Sequence, residues 1–437
     1  MKTLKAIALG ALLLSAASDL RAADEISGSF ALVGATVHTV SGPNIENGVV
    51  LVQGGKITAV GASVSVPSGV KTINLAGKHL YPGFVHPGTP LGLSEISSVR
   101  GTDDTTEVGD NNANIRAEVA VNSDSLLIPA AVAGGVLTAH VVPSGGIVSG
   151  TSAVITLKGW NWQDMTLAAP VGMHLTYPRI AIAQRRRRTP SDEDFQKQKE
   201  KALKALQDIF DSARAYKTAR EAADSGGGPR VELNLQFEAM IPLLDGRMPL
   251  FLHADEQTQI ESALDWVKKE KLTQVILESS EDAQYVAERL AKERIPVILD
   301  GVLAMPNRRG EPYDAAYAAA ATLNAAGVKV AISDGGGDAS NARNLPFHAA
   351  MAAAFGLPKD VALRSVTLTP AEILGVAAHV GSIDVGKDAT FFVSDGDPLE
   401  ARTHIERVWI GGTDIDLTKN HQWELYQKYK NRPLPAK

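Results

Sequence analysis

Apolar and polar positions alternate in short runs near both ends of the chain, and the texture changes in between. From Ser29 to Asn74 the runs "FALVGATVHTV", "GVVLVQGGKITAVG" and "GVKTINL" carry β-branched residues at period two, and Gly54-Gly55 sits between two of them like a hairpin turn. "DATFFVSDGD" and "RVWIGGTDID" repeat the habit near the other terminus. The pattern predicts small-sheet strands that pair across the chain, giving one β domain from residues 24–80 and 383–437.

Between residues 81 and 382 short apolar runs alternate with alanine-rich, helix-like stretches, which argues for parallel strands joined by crossover helices. Strands are expected near Tyr81–His86, Val136–Val141, Ala153–Leu157, Arg179–Ala183, Pro249–His253, Gln274–Leu277, Pro296–Leu299 and Val328–Ser333. Eight such runs suit an α/β chain folded as a closed (β/α)8 TIM-like barrel. An insertion over 189–226 has Phe195, Leu203, Leu206, Phe210, Ala213 and Tyr216 at helical spacing, with acidic residues at its start and Gly226-Gly227-Gly228 at its end. It reads as one long amphipathic helix, packed on its own barrel or presented to a partner.

Composition narrows the chemistry. The 437 residues are 44% hydrophobic, ample for a large core. Lys2 and Lys5, the apolar run Ala6 to Ala17 and the small residues near Ala22 suit a signal peptide over 1–22, so export to a periplasmic or extracellular space is expected. No later stretch reaches about 18 consecutive apolar residues, so no membrane span is expected. With no cysteine, disulfides and thiolate chemistry are excluded, and a metal must be held by His, Asp, Glu or a modified Lys. A net charge of -6 gives no broad attraction for nucleic acid or an anionic membrane, and the run Arg185–Arg188 reads as a solvated loop.

In chain order, "GGKITAVG", "INLAGKHLYPGF", "GVLTAHVVPSGG", "FLHADEQTQI", "IPVILDGVL", "GVKVAISDGG", "VTLTPAEILGVAAHVGSIDVGKDATFFVSDGDPL" and "IERVWIGG" resemble the amidohydrolase superfamily, particularly its imidazolonepropionase-like branch. The resemblance covers nearly the whole chain after the leader. It implies a metal-dependent barrel hydrolase flanked by a composite β-sandwich, acting on non-peptide, including cyclic, carbon–nitrogen bonds. It also implies one or two divalent ions that lower the pKa of a bound water to about 7. The family's ligands are a His-x-His on the first strand, Lys or Glu on the fourth, His on the fifth and sixth, and an Asp on the eighth that also carries the proton.

Against that pattern, His253 and Asp334 match the fifth and eighth strands, and Glu278 falls at the sixth. The first-strand pair falls on Gly88 and Pro90, which have no ligating side chain, and no fourth-strand Lys or Glu is apparent. His86, two positions earlier, is either a structural histidine or a replacement ligand. A dinuclear centre is therefore not expected; a single zinc or manganese ion on His253, Glu278 and Asp334 stays open, with Asp334 then also the catalytic proton carrier.

The loop after the first strand carries Glu95, Asp103, Asp104, Glu107 and Asp110, of which Asp103 and Asp104 are candidates to meet substrate or cation. His140, ending a strand, and Tyr313 in "EPYD" are further candidates for substrate contact, whereas His348 and His379 lie in alanine-rich helices as structural residues. No Gly-x-Ser-x-Gly or phosphate loop accompanies them. Two readings remain open. One is a hydrolase of a small-molecule amide or cyclic amide with a reduced metal site. The other is a catalytically silent ligand-binding barrel, acting as a homo-oligomer or as partner of an active relative.

Overall fold

The structure is a computed structural model and describes residues 28–181, 191–279, 281–306, 308 and 310–432. The expected leader over 1–22 and the run Arg185–Arg188 lie outside the described residues.

Hydrogen bonds join both ends of the chain into one eight-stranded sheet. The N-terminal part supplies Phe30–Val37, Ile45–Gln53, Lys56–Gly61, Lys71–Asn74 and His79–Pro82; the C-terminal part supplies Phe391–Ser394, Ile405–Ile410 and Thr413–Ile415. The joint is the antiparallel pairing of His79–Pro82 with Phe391–Ser394. Gly54 and Gly55 take φ of +56° and +76°, the left-handed pair that a tight hairpin demands. Leu32, Val50, Leu80, Phe391 and Trp409 fill the core of this unit.

The remaining strands make a TIM-barrel-like array of mixed α and β content. The first, Phe84–Thr89, lies parallel to the second, Val136–Val141. The fourth to eighth, Met173–Thr176, Leu250–His253, Val275–Ser279, Val297–Leu299 and Val330–Ile332, form a parallel series. Between the two groups runs a broken third strand: its Val148–Thr151 half pairs antiparallel with the fourth, its Ala153–Thr156 half antiparallel with the second. The link from Val142 to Ile147 is too short for a crossover helix, so the chain turns back on itself. Among the described residues no ladder joins the eighth strand to the first. That seam is spanned instead by Val85 N–H donating to Val366 O, Ile332 N–H to Ser365 O, and the Ser333 hydroxyl to Gly88 O.

One strand differs from expectation. The fourth is Met173–Thr176, and Arg179–Ala181 is not a strand; residues 182 and 183 lie outside the described set. Pro178 explains the shift, since it has no N–H for a ladder and marks where pairing stops. Val85, Phe251, Ile276, Ile298 and Ala331 are all buried in one apolar cluster contributed by the strands.

The insertion is a helix, Asp192–Asp224, capped by the Ser191 hydroxyl accepting from Asp194 N–H, with three acidic residues favourably placed in its first turn. Leu206, Phe210, Ala213 and Tyr216 are its buried residues. Phe210 meets Trp266 edge-on at 4.9 Å, and Arg214 pairs with Glu270. Both partners belong to the helix Gln257–Glu270 that follows the fifth strand, so the insertion packs on its own barrel.

Candidate active site

Register sets the site. Thr176, His253 and Glu278 are paired across the fourth, fifth and sixth strands, and one step back along the pleat His174 pairs with Phe251. Because side chains alternate, the two-residue spacing puts His174 on the same face as Thr176, one layer deeper. His174 Nδ1 lies 2.8 Å from His253 Nε2, and His253 Nδ1 lies 3.8 Å from Glu278 Oε1. Donor atoms of His174, His253 and Glu278 all fall within 4.8 Å of one another. Phe251 lies under the group, stacked on His174 at 4.6 Å and 6°. Gly172 makes room for that ring: a Cβ there would come within 2.4 Å of Phe251 Cε2.

Burial dominates the electrostatics. It pushes Glu278 up to about 8, with Asp255 adding to the effect, and it holds the imidazoles of His174 and His253 below their ordinary value. Glu278 Oε2 and His174 Nε2 are buried without a hydrogen-bond partner. Two imidazole nitrogens 2.8 Å apart share a proton in this structure, one ring donating to the other, and on one ion at about 2.0–2.1 Å from each they would stand a few tenths of an ångström further apart. Two imidazoles and a carboxylate are also the donor set of many catalytic zinc sites. The residues therefore fit a single divalent ion.

The group opens into a cleft of about 390 Å³. His253, Glu278, Asp103, Thr105, Ser144 and Asp300 are among its walls. Asp300 follows the seventh strand, and burial, then Glu278 and Asp255, push its carboxyl up to about 7. Asp103 is held by its own loop, its Oδ1 accepting from the Thr105 amide at 3.1 Å and the Thr105 hydroxyl at 2.6 Å.

Several expected residues stand elsewhere. Asp334 lies outside the donor group. Its Oδ1 is 3.3 Å from His86 Nε2 and accepts from Gly336 N–H at 2.9 Å. Burial opposes its ionisation, but His86 and these hydrogen bonds outweigh burial and hold the carboxyl below its ordinary value. His86 is fully buried, its Nδ1 accepting from Gly88 N–H, so it braces Asp334 rather than joining the donors. His140 is also fully buried, its Nδ1–H donating to Pro87 O and its Nε2 accepting from the Ser152 hydroxyl; neither nitrogen is left for a ligand. Tyr313 is 72% exposed, set against Phe355 and away from the cleft walls. Asp104 is exposed and does not line the cleft. His348 accepts from Val302 N–H, and His379 pairs with Asp388 at the surface, both as structural residues. Gly88 does face the site: a Cβ there would stand 3.3 Å from Glu278 Oε1, and Ser333 already bonds its carbonyl.

The sequence reading missed His174 and Asp300. The inward position of a histidine in "MHLT", directly before Tyr177-Pro178, was the available signal for the first. For the second it was the Asp-Gly that ends "IPVILDG", matching the Asp-Gly of "VAISDGG" on the next strand.

Known proteins share this fold. A model of the amidohydrolase family matches residues 163–415, more than half of the chain. The amidohydrolase tasK of Hapsidospora irregularis is 24% identical over 415 residues, covering 86% of this chain but only 41% of that protein, so the chain spans less than half of that relative's length. Among solved structures, the fold is similar to an amidohydrolase from Thermotoga maritima MSB8, with a TM-score of 0.78 at 24% identity over 89% of this chain and 99% of that one. It is also similar to an adenosine deaminase from Xanthomonas campestris with bound zinc, with a TM-score of 0.51 at 18% identity over 92% and 99% of the two chains.

Proposed function

The chain belongs to the amidohydrolase family, and from that premise we propose that it hydrolyses a non-peptide carbon–nitrogen bond of a small amide or cyclic amide, at a site with one divalent ion held by His174, His253 and Glu278. The observation that carries the reading is the convergence of these three donors, two of which, His253 and Glu278, line an open cleft. A bound ion would supply Lewis acidity for the carbonyl and make water a better nucleophile near neutral pH. The chain's own residues do the rest. Phe251 keeps the His174 ring in place, and the cleft wall from Asp103 to Ser144 offers hydroxyl and carboxylate groups to orient a polar substrate.

Elemental analysis of the purified full chain after incubation with zinc or manganese tests this. One equivalent of metal, lost in His253→Ala, is the expected result. A wild-type protein that takes up no metal and hydrolyses no member of a panel of anilides and cyclic amides rejects the reading.

A second reading has its own support. Gly88 faces Glu278 from the first strand, where the family's pattern places a ligand, and it carries no donor. This favours a silent barrel that binds a small amide, alone, as a homo-oligomer or beside an active relative. Metal-dependent turnover by the isolated chain excludes it.

A further inference from the structure

We propose that proton transfer at this site has moved one strand over, from Asp334 at the end of the eighth strand to Asp300 at the end of the seventh. The inference rests on the hydrolase reading above. Adjacent strands end alike, in Leu299-Asp300-Gly301 and Ser333-Asp334-Gly335, yet the two carboxyls have opposite surroundings. The Asp334 side chain is 1% exposed and engaged by His86 and by the Gly336 amide, and it is not among the groups that line the cleft. Only Oδ1 is engaged in this way, but Oδ2 is buried too, so neither oxygen of Asp334 reaches a substrate in the cleft. Asp300 lines the cleft together with His253 and Glu278.

Its position is fixed from the backbone. Asp300 N–H donates to Ser279 O at 2.8 Å, which ties the end of the seventh strand to the sixth. On the other side the eighth-strand loop packs against it, with glycines in left-handed backbone at both points of approach. A Cβ at Gly301, where φ is +77°, would lie 3.0 Å from Gly335 N, and one at Gly336, where φ is +55°, would lie 3.4 Å from Asp300 Oδ1. The loop that positions Asp300 is thus the one that begins with Asp334. Asp334 is thereby a positioning residue for Asp300.

In the step assigned to it, the Asp300 carboxylate accepts a proton from water as the oxygen–carbon bond to the substrate carbonyl forms. It returns that proton to the leaving nitrogen as the carbon–nitrogen bond breaks. One water is consumed, a carboxylic acid and an amine are released, and Asp300 ends as it began.

The test uses the full chain incubated with zinc and compares Asp300→Asn with Asp334→Asn. Three quantities are measured: zinc content, binding of acetohydroxamic acid by calorimetry, and hydrolysis of 4-nitroacetanilide and hydantoin. Asp300→Asn is expected to keep its zinc, to bind acetohydroxamic acid at least tenfold more weakly, and to lose about a hundredfold or more of any turnover, the scale of general acid–base catalysis. Asp334→Asn is expected to lose less than tenfold in both and to unfold more readily. If Asp300→Asn binds and turns over like the wild type, or if Asp334→Asn at full zinc content shows the larger loss, the proposal is overturned. A wild-type chain that holds no zinc removes the hydrolase reading itself, and the zinc measurement on the wild type separates that failure from failure of the Asp300 assignment.

Discussion

Replacing Gly172 with alanine adds one methyl group beneath the site, and its consequences can be worked from distances. The new Cβ would stand 2.4 Å from Phe251 Cε2, 2.6 Å from Cδ2 and 3.0 Å from Pro249 O. Carbon atoms in contact prefer about 3.5–4.0 Å, so the ring must retreat by about 1 Å. Phe251 is fully buried between the strands and its face lies on His174, so the retreat is resisted by the core and transmitted to the imidazole. Overpacking of this kind costs about 1–3 kcal/mol. Displacing a group that orients a ligand lowers metal affinity by roughly 10–100-fold. The assay is a zinc competition against a chromophoric chelator beside a urea titration. In the double variant Gly172→Ala with Phe251→Leu, the ring edge that collides is gone, so stability should recover relative to Gly172→Ala while zinc affinity stays low, because no ring remains to hold His174. A Gly172→Ala protein with lowered stability and wild-type zinc affinity would refute the idea that the ring positions the donor.

Three further outcomes follow from the same structure. Glu278→Gln keeps the shape of the side chain and removes the carboxylate donor; equilibrium dialysis should find zinc bound about a hundredfold or more weakly, taking about 3 kcal/mol per ligand from the total for structural zinc sites. Arg214→Met leaves the buried Glu270 carboxylate without its partner and should cost about 2 kcal/mol in a urea titration at neutral pH, less than for a fully buried pair because Arg214 is 38% exposed. His38, half-buried against His79 and stacked on Tyr81, is lowered to about 4, by burial first and His79 second. The unfolded chain therefore takes up this proton first, and stability should fall as pH drops from 6.5 towards 4. The full shift corresponds to about 3 kcal/mol, and partial exposure reduces it to about 1–2 kcal/mol. Urea midpoints at pH 7 and 5 should differ less in His38→Gln.

The residues that were legible in the sequence are those whose neighbours along the chain decide their place. His253 ends a strand of fully apolar residues, and the helix from Asp192 announces itself by Ser191 and a cluster of acids. Gly54-Gly55 could hardly be anything but a turn. What escaped depends on partners distant in sequence. Met173–Thr176 is four residues long, too short for a periodic signal, and becomes a strand through its ladders to Val148–Thr151 and Leu250–His253. His174 then becomes a donor only because that register sets it beside His253. The turning away of Asp334 is similarly non-local, since it needs His86 of the first strand, held by the Gly88 amide two residues on, to reach the end of the eighth. Likewise, nothing in "AHVV" discloses that Pro87 and Ser152 would claim both nitrogens of His140.

The pairing of His79–Pro82 with Phe391–Ser394 has a consequence for how this molecule comes into being. A ribosome releases Leu80 long before it has made Val393, so the early strands wait with a bare edge while the entire barrel is synthesised. Such an edge is an invitation to the wrong partner. Shortening the tail by the last three strands would therefore do more than trim an ornament: it would leave that edge permanently open as a site for clumping.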